Sequence, residues 1–308
     1  MTARVSVVIP ACNAARHIEA CLASVFRQRA LSSEVIVVDD GSTDSTREIL
    51  HGMSGLVCLS QRNAGPAAAR NAGIARAQGV YVAFLDADDL WPDDKLDKQV
   101  ALLDAHPDAA MCFGDCRQFD GERLWPRTLF EEAGHGRRAW GEGLFVPDAY
   151  ARLLRDNFIT TGSVIVRRQV LSELGGFDAS LRLVEDLELW LRIARRHPIV
   201  WSEDVCLLRR RHGGNLSQDA DAMSLAYLDV LRRQQDCCGA DLAREHIDLD
   251  ELSAREYREM AGRALTGRRP NDATRWAWQS FTTRPSLRAL WYLLLGTGQK
   301  LRPGNTPT

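Results

Sequence analysis

The first part of the chain alternates short apolar runs with segments whose apolar residues recur every three or four positions. The apolar runs occupy residues 5–10, 34–38, 56–60 and 81–85. Runs of this length predict buried strands, and segments between them, such as residues 18–26, have helical spacing. Strands that alternate with helices predict an α/β fold, in which a mostly parallel twisted sheet is flanked by helices.

The pattern changes beyond the fourth predicted strand. Asp120 and Gly121 separate two strand-like runs, which predicts a hairpin. Residues 127–147 are rich in glycine and arginine and lack a clear period, so we expect an irregular and mobile flap there. Further along, residues 163–167 predict a buried strand, and residues 186–196 predict a helix with one apolar face.

From about residue 219 onwards the pattern is helical throughout. We therefore predict an α/β domain over residues 1–215 and a helical C-terminal region over residues 216–308. The length of 308 residues is sufficient for a domain of about 200 residues and a smaller second unit.

Polar residues gather where three of the predicted strands end, after residues 10, 38 and 85. The carboxyl ends of parallel strands meet at one edge of a sheet, and ligands of such sheets bind beyond that edge. We therefore expect a binding site that is built from these turns. Their convergence is stronger evidence than any single turn.

Asp86 and Asp88 follow the fourth predicted strand directly, two positions apart. Side chains at this spacing can point the same way, so the two carboxylates could hold a hard divalent ion together with diphosphate oxygens. Such an ion stabilises a diphosphate leaving group, which gains negative charge as its bond breaks. The alternative is that Asp88 and Asp89 cap a helix that starts near Pro92.

Two further polar groups lie near the same edge. Asp39 and Asp40 precede a Gly-Ser turn, where they could either cap the next helix or accept hydrogen bonds from a nucleotide's base or ribose. Arg70 belongs to a predicted alanine-rich helix. An arginine there suits phosphate recognition, although an arginine at the edge of a core is equally common.

Two later positions also carry candidate chemistry. Glu185 and Asp186 open a predicted helix, where acids are favoured by the helix dipole but could also serve as a general base. His212 ends the run of charged residues 209–212 and could face a diphosphate or a metal ion. A charged run is more often simply solvated surface.

The composition excludes several classes of protein. A formal charge of −2 provides no overall field for nucleic acid, so no nucleic-acid partner is expected. The N-terminal apolar run lacks a signal-peptide cleavage pattern, and no stretch reaches the roughly 18 apolar residues of a transmembrane helix. The eight cysteines form no CxxC pair, and the adjacent Cys237 and Cys238 are not expected to bond to each other. We expect reduced thiols and a cytoplasmic location.

Six segments, taken in their order and spacing, resemble the family-2 glycosyltransferases, which have the GT-A nucleotide-binding fold. The segments are VSVVIPACN at 5–13, VIVVDDGSTDST at 35–46, NAGPAAARNAG at 63–73, FLDADD at 84–89, GGFD at 175–178 and VEDLELWLR at 184–192. The resemblance covers about residues 4–212, or two-thirds of the chain.

On the nucleotide side of the site, the resemblance implies roles for five residues. Pro10 would lie against the nucleotide through its backbone, Asp40 would bind the base, and Asp39 would lie near the ribose. Asn63 and Arg70 would support the nucleotide and its phosphates.

For the reacting end of the donor, the resemblance implies that Asp86 and Asp88 form the DxD pair, with Asp88 as the direct metal ligand. Asp186 would be the catalytic base, and Glu185 would be its acidic neighbour. His212 matches a less regular late motif.

The activity implied is transfer of a sugar, with inversion, from a nucleotide diphosphate donor to an acceptor hydroxyl. The donor is expected to be a UDP-sugar, and the metal to be Mg²⁺ or Mn²⁺. The acceptor is expected to be a saccharide or a lipid-linked molecule in the assembly of a cell-surface polysaccharide or glycolipid. The sequence lacks a QxxRW signature, which favours single additions over processive synthesis.

Two other functions compete with this one. A catalytically silent module that binds nucleotide-sugars would share the fold, although the intact Asp86, Asp88 and Asp186 argue against it. A dinucleotide-dependent dehydrogenase is disfavoured, because the first strand–helix turn reads PACNAAR and contains no GxGxxG.

The last predicted helix carries an apolar stripe with basic flanks. The stripe consists of Leu287, Leu290, Trp291, Leu294 and Leu295, and the flanks of Arg284, Arg288, Lys300 and Arg302. One interpretation is a helix docked on the α/β domain or on a second subunit. The other is a helix over residues 285–302 that lies on a membrane surface, which would make the protein peripheral at the inner face of the cell membrane.

Overall fold

The computed structural model of the protein describes residues 4–28, 33–213 and 219–300. The chain divides into two units between residues 215 and 216. In the described residues, the first unit contains one mixed sheet with its helices, and the second unit contains four helices.

The sheet of the first unit has eight strands. They are β1 Val5–Ala11, β2 Ser33–Asp40, β3 Val57–Gln61, β4 Tyr81–Phe84, β5 Met111–Asp120, β6 Arg123–Thr128, β7 Ile165–Arg167 and β8 Ile199–Arg210. Their order is β3-β2-β1-β4-β7-β5-β6, and β8 also pairs with β5. The pairs among β1 to β4 and the β5–β8 pair are parallel, whereas β7 runs antiparallel to both of its neighbours. The predicted α/β class with a mostly parallel sheet is confirmed.

Helices connect the strands and continue into the second unit. In the first unit they are α1 Ile18–Phe26, α2 Thr46–His51, α3 Pro66–Arg76, α4 Lys95–Ala105, α5 Leu129–Ala133, α6 Arg137–Trp140, α7 Ala149–Arg155, α8 Arg168–Leu174 and α9 Glu185–Arg196, with a 3-10 turn at Thr161–Ser163. In the second unit they are α10 Ala220–Arg244, α11 Leu249–Thr266, α12 Pro270–Thr283 and α13 Leu287–Lys300.

The first strands form because their sequence is rich in β-branched residues and every position can be buried. In β1, Val5, Val7, Val8 and Ile9 are fully buried. Helix α3 packs closely against this strand, since a Cβ at Gly73 would overlap the side chain of Val8. The small side chains of α3 therefore allow the close approach of helix and sheet that brings Arg70 to the edge of the sheet.

The region predicted to be a mobile flap is instead ordered around an aromatic cluster. Residues 127–147 include α5 and α6, whose Phe130 and Trp140 are buried. The ring of Trp140 lies 5.7 Å from that of Phe113 and 5.0 Å from that of Trp201. The expected irregular chain is wrong, because these aromatic partners come from β5 and β8, which are distant in sequence. Mobility of the segment stays a prediction.

The hairpin prediction is confirmed, since β5 and β6 pair antiparallel through Asp120 and Arg123. The strand expected at 163–167 is shorter, because the chain first makes the 3-10 turn at Thr161–Ser163. That turn has a role in the site described below.

The four helices of the second unit enclose their own small core. Its buried members are Met260, Ala261, Ala264, Ala273, Trp276 and Ala277. The expectation that Cys237 and Cys238 would not pair is wrong, because their sulfur atoms are bonded at a kink in α10. Within the part of the chain that the structure describes, no helix is both long enough and apolar enough to cross a bilayer.

Candidate active site

The turns that follow β1 and β2 are joined by hydrogen bonds. Asn13 has a φ of +51°, and its side-chain oxygen accepts hydrogen bonds from the backbone N–H of Thr43 at 2.8 Å and of Asp44 at 3.3 Å. In return, the N–H of Asn13 donates to the hydroxyl of Ser42 at 3.0 Å. The polar turns predicted to converge therefore form one continuous surface next to Pro10, which is partly exposed near the end of β1.

Asp40 is almost completely buried and holds the loop that follows β3. Its Oδ1 accepts hydrogen bonds from Gln61 Nε2 and from the N–H of Ala64, both at 2.8 Å. Its Oδ2 accepts from the N–H of Gly65 at 2.9 Å. Asp40 thus fixes the position of the neighbouring Asn63, a role that its sequence motif did not reveal.

Asp39 is also buried, and it is held by the turn that it precedes. Its carboxylate accepts hydrogen bonds from the N–H of Ser42 at 3.0 Å and from Arg47 Nε at 2.9 Å. Burial raises the pKa of Asp39, but the hydrogen bonds from Ser42 and Arg47 outweigh it, so the pKa lies below its usual value. The carboxylate is therefore kept charged.

Asn63 lies on the exposed side of the same region, and its Nδ2 is 3.2 Å from the sulfur of Cys12. The preceding turn approaches it closely, since a Cβ at Gly41 would lie 2.7 Å from the backbone nitrogen of Asn63. Gly41 also has a φ of +74°. Only glycine meets both demands, which explains the Asp-Asp-Gly-Ser turn physically.

Arg70 joins two carboxylates from distant parts of the chain. It is buried on α3, its NH1 donates to Glu185 Oε1 at 2.7 Å, and its NH2 donates to Asp86 Oδ1 at 2.7 Å. The guanidinium carbon lies 5.4 Å from the centre of the Phe177 ring. This bridge connects the loop after β4 to the start of α9. The structure thus brings together three residues that the sequence selected separately.

The loop after β4 is fastened to the end of β8. Arg210 Nε donates to the backbone oxygen of Asp88 at 2.8 Å, and the N–H of Arg210 donates to Asp89 Oδ1 at 2.7 Å. Burial, followed by the charge of Asp88, raises the pKa of Asp89 well above its usual value. The capping alternative for Asp88 and Asp89 is wrong, because α4 begins only at Lys95, after Asp94.

His212 lies beside Asp88. Its Nε2 is 2.7 Å from Asp88 Oδ2, and its ring stacks on that of His17 with the ring centres 5.4 Å apart. Burial, followed by the charge of Arg210, lowers the pKa of His17. Sequence reasoning missed His17, which stands in no pattern that carries chemistry, and it did not single out Arg210 within the charged run 209–212.

Asp186 and Glu185 form the first turn of α9. Asp186 Oδ2 accepts a hydrogen bond from the hydroxyl of Thr161 at 2.7 Å, and Oδ1 lies 2.7 Å from the N–H of Leu187. Burial and the charge of Asp186 raise the pKa of Glu185, despite its ion pair with Arg70. The preceding Val184 has a φ of +54°, which is strained for a β-branched residue.

A carboxylate and an imidazole lie side by side where the loop after β4 meets the end of β8. Asp88 and His212 present a carboxylate oxygen and an imidazole nitrogen next to each other, while Asp86 is engaged by Arg70. Among the described residues, no cluster of three or more His, Cys, Asp and Glu side chains could hold a metal ion. Mg²⁺ is typically bound by one or two carboxylates, with phosphate oxygens and water completing the shell.

Residues 6–175 match the family described as glycosyl transferase family 2. The chain therefore belongs to glycosyltransferase family 2, and its sheet has the GT-A fold.

Among its relatives is TuaG of Bacillus subtilis, provisionally named as a glycosyltransferase of teichuronic acid biosynthesis. It is 33% identical over 214 residues, which cover 67% of this chain and 78% of that protein. Two rickettsial relatives, both named as uncharacterized glycosyltransferases, are longer, and the matched regions span 36% of their lengths.

Solved structures of two enzymes share the fold. TarS of S. aureus, in a complex with UDP-GlcNAc, has a TM-score of 0.68 and 18% identity, covering 96% of this chain and 89% of that one. The mannosyltransferase PcManGT of Pyrobaculum calidifontis, in a complex with GDP-Man and Mn²⁺, has a TM-score of 0.63 and 19% identity, covering 98% of this chain and 82% of that one. At such identities the likeness establishes the fold alone.

Proposed function

We propose that this glycosyltransferase moves a sugar, with inversion, from a nucleotide diphosphate donor to an acceptor hydroxyl during assembly of a cell-surface polysaccharide or glycolipid. The observation that carries the proposal is the bridge from Asp86 through Arg70 to Glu185. It joins the loop suited to a diphosphate and its metal with the helix start that bears Asp186. The name of TuaG supports a cell-surface product.

The nucleotide is proposed to lie over the turns after β1 and β2, in contact with the backbone of Pro10 and with Asn63. Asp39 and Asp40 would shape this surface, and a contact between Asp40 and the base would compete with the bond from Gln61. The bound UDP-GlcNAc of TarS supports a UDP-sugar as the first choice of donor, whereas the GDP-Man of PcManGT keeps GDP-sugars as candidates.

Asp88 and His212 are proposed to hold Mg²⁺ or Mn²⁺, with oxygens of the diphosphate as further ligands. When bound, the cation would neutralise charge that develops on the leaving diphosphate. Both terminal nitrogens of Arg70 are bonded to carboxylates in this structure, so we propose that it acts on the phosphates indirectly, by orienting Asp86.

Asp186 is proposed as the general base. It takes the proton from the acceptor hydroxyl, the acceptor oxygen forms a bond to C1 of the sugar, and the bond from C1 to the diphosphate oxygen breaks. The nucleotide diphosphate leaves with the electron pair of that bond. Because attack and departure occur on opposite faces of C1, the anomeric configuration inverts. Holding the reactants in line removes a large entropic part of the barrier.

The first experiment is a thermal-shift panel of UDP-, GDP- and dTDP-sugars with and without Mn²⁺. A ligand that binds the folded protein raises its melting temperature, in proportion to ln(1 + [L]/Kd). We expect one nucleotide class to produce a shift that Mn²⁺ enlarges. A panel without any shift would contradict the proposed donor site.

The second experiment tests catalysis. Asp186→Asn should abolish release of nucleotide from the donor in an acceptor mixture, while the thermal shift caused by the donor remains nearly unchanged. The exposed Asp108→Asn serves as the matched control and should retain full activity. If wild type binds the donor but never turns it over with any acceptor, the silent binding module is the better explanation.

The acceptor is proposed to be presented at a membrane, because α13 exposes a continuous apolar face. Its five members, Leu287, Leu290, Trp291, Leu294 and Leu295, are between 38% and 86% exposed. Residues 287–297 of α13 include Arg288 and no acidic residue, so the charge of this segment complements an anionic lipid surface. An apolar face with basic residues and an exposed tryptophan is typical of helices that lie in the membrane interface.

Vesicle flotation tests this contact. The protein should float with vesicles that contain phosphatidylglycerol, and the double variant Leu290→Ser/Leu294→Ser should lose binding. Leu124→Ser/Leu144→Ser removes two leucines that are similarly exposed in the first unit and should bind as wild type does. The membrane proposal is wrong if wild type does not bind vesicles but forms a dimer, and if Leu294→Ser dissociates that dimer. The apolar face of α13 would then bind a second copy of the chain.

A further inference from the structure

The 3-10 turn at Thr161–Ser163 is held by three buried donors. Trp91 Nε1 donates to the backbone oxygen of Gly162 at 2.7 Å, and Gln99 Nε2 donates to that of Ser163 at 2.9 Å. Lys95 Nζ donates to the next carbonyl, that of Val164, at 3.3 Å. Three consecutive carbonyls are thus each bonded by a different side chain.

Lys95 and Gln99 lie one turn apart on the same face of α4, and Trp91 comes from the loop that precedes this helix. All three are almost completely buried, and the Lys95 ammonium lies 3.9 Å from the centre of the Trp91 ring. Burying an amine is unfavourable unless it is well bonded. The opposite side of the turn is closed as well, because a Cβ at Gly162 would lie 2.7 Å from Leu207 Cδ1.

Only one side chain of this turn reaches the candidate base. The hydroxyl of Thr161 donates to Asp186 Oδ2, while the N–H of Leu187 lies against Oδ1. Both oxygens of the carboxylate are therefore restrained. The restraint on Oδ2 comes from a turn whose own backbone is fixed by the core.

We infer that Thr161 is a positioning residue for Asp186, and that Trp91, Lys95 and Gln99 act through it by fixing the turn. The inference rests on the proposed role of Asp186 as the base. A carboxylate that is free to rotate spends less time aligned with the acceptor hydroxyl, so loss of the Thr161 hydroxyl lowers the rate of the chemical step. Donor binding does not involve this bond.

The experiment compares Thr161→Val, which keeps the shape but removes the hydroxyl, with Thr161→Ser, which keeps the hydroxyl. Steady-state kinetics should show about a tenfold loss of kcat in Thr161→Val with an unchanged KM for the donor. Thr161→Ser should remain close to wild type. Should Thr161→Val fail to fold, Thr161→Ala gives the same comparison with the serine variant.

A double-mutant cycle tests whether the donors that fix the turn act through Thr161. Gln99→Met removes one of the three bonds to the turn and should lower kcat by a few-fold. Combined with Thr161→Val it should add little, because both changes act on the same carboxylate. Fully additive losses would show that Gln99 acts elsewhere and would overturn its role.

The outcomes separate this inference from the proposed function. If Asp186→Asn abolishes transfer but Thr161→Val and Thr161→Ser have the same kcat, Asp186 is the base and the inference about Thr161 is wrong. If Asp186→Asn leaves transfer intact, the proposed base itself is wrong. A Thr161→Val variant that loses donor affinity as strongly as kcat would indicate a general structural defect and would also overturn the inference.

Discussion

Replacing Lys95 by methionine should make the protein more stable at neutral pH. The amine of Lys95 is almost completely buried between Trp91 and the Val164 carbonyl, and no carboxylate pairs with it. Burial lowers the pKa of Lys95 from 10.5 to about 7. Methionine has a similar length and lacks the charge, so it fills the same space without the penalty of burying an amine.

The magnitude follows from the shift in pKa. A change from 10.5 to about 7 corresponds to a destabilisation of about 5 kcal/mol at low pH, and of about 4 kcal/mol at pH 7. Loss of the hydrogen bond to Val164 destabilises the variant by about 1 kcal/mol. The free energy of unfolding of Lys95→Met should therefore exceed that of wild type by about 3 kcal/mol at pH 7.

The same shift in pKa determines how the stability difference between Lys95→Met and wild type changes with pH. Between pH 7 and 10.5 the unfolded chain holds a proton on Lys95 that the folded chain has released, so the stability contribution of Lys95 rises with pH. The advantage of the methionine variant should therefore shrink by about 2 kcal/mol from pH 7 to pH 9. Burial raises the pKa of the neighbouring Cys112 and Cys206 thiols, so both remain protonated in the folded protein over this pH range and add no difference between the two variants.

Urea unfolding of wild type and Lys95→Met at pH 7, 8 and 9 measures this difference. Lys98→Met is the matched control, since Lys98 is partly exposed and its hydrogen bonds to Asp204 and Asp94 raise its pKa. That control should change stability by about 1 kcal/mol or less and show no pH trend over this range. A stability difference between Lys95→Met and wild type that does not change with pH would refute the reasoning.

Three further predictions concern the site and its support. Arg70→Met leaves Glu185 buried without its cation, so it should lower the free energy of unfolding in urea by about 3–5 kcal/mol and should also reduce transfer activity. Arg70→Lys should recover part of both the stability and the activity. Gly73→Ala forces α3 away from β1 and should cost about 1–3 kcal/mol, measured in the same way. His212→Ala should remove the increase in melting temperature that Mn²⁺ adds to the donor's effect, while the effect of the nucleotide alone persists.

The first four strands could be predicted from the sequence because each is a short, continuous apolar run between turn residues. The same pattern located the turns that follow them. The chain from residue 127 to 147 could not be predicted this way, because Phe130 and Trp140 are ordered by rings from β5 and β8. Local periodicity contains no information about such distant partners.

The candidate site likewise contains residues that could be predicted from the sequence and residues that could not. Asp86 and Asp88 were selected as candidates because they stand directly after a buried strand, and Asp186 because it matches a family motif; their roles stay predictions. Glu185, one of the two partners of Arg70, is 115 residues away from it, so the bridging role of Arg70 could not be inferred from spacing. Thr161 was missed because a single threonine next to a predicted strand has no distinctive signal.

The strained backbone of Val184 makes the start of α9 dependent on the core around it. Its left-handed backbone costs roughly 1–3 kcal/mol, so the isolated segment would not choose the conformation that starts α9. The conformation persists because Val184 is buried in the finished core. The positions of Glu185 and Asp186 therefore depend on the packing around Val184 as well as on their own hydrogen bonds. A substitution that loosens this packing would displace both carboxylates without touching either of them.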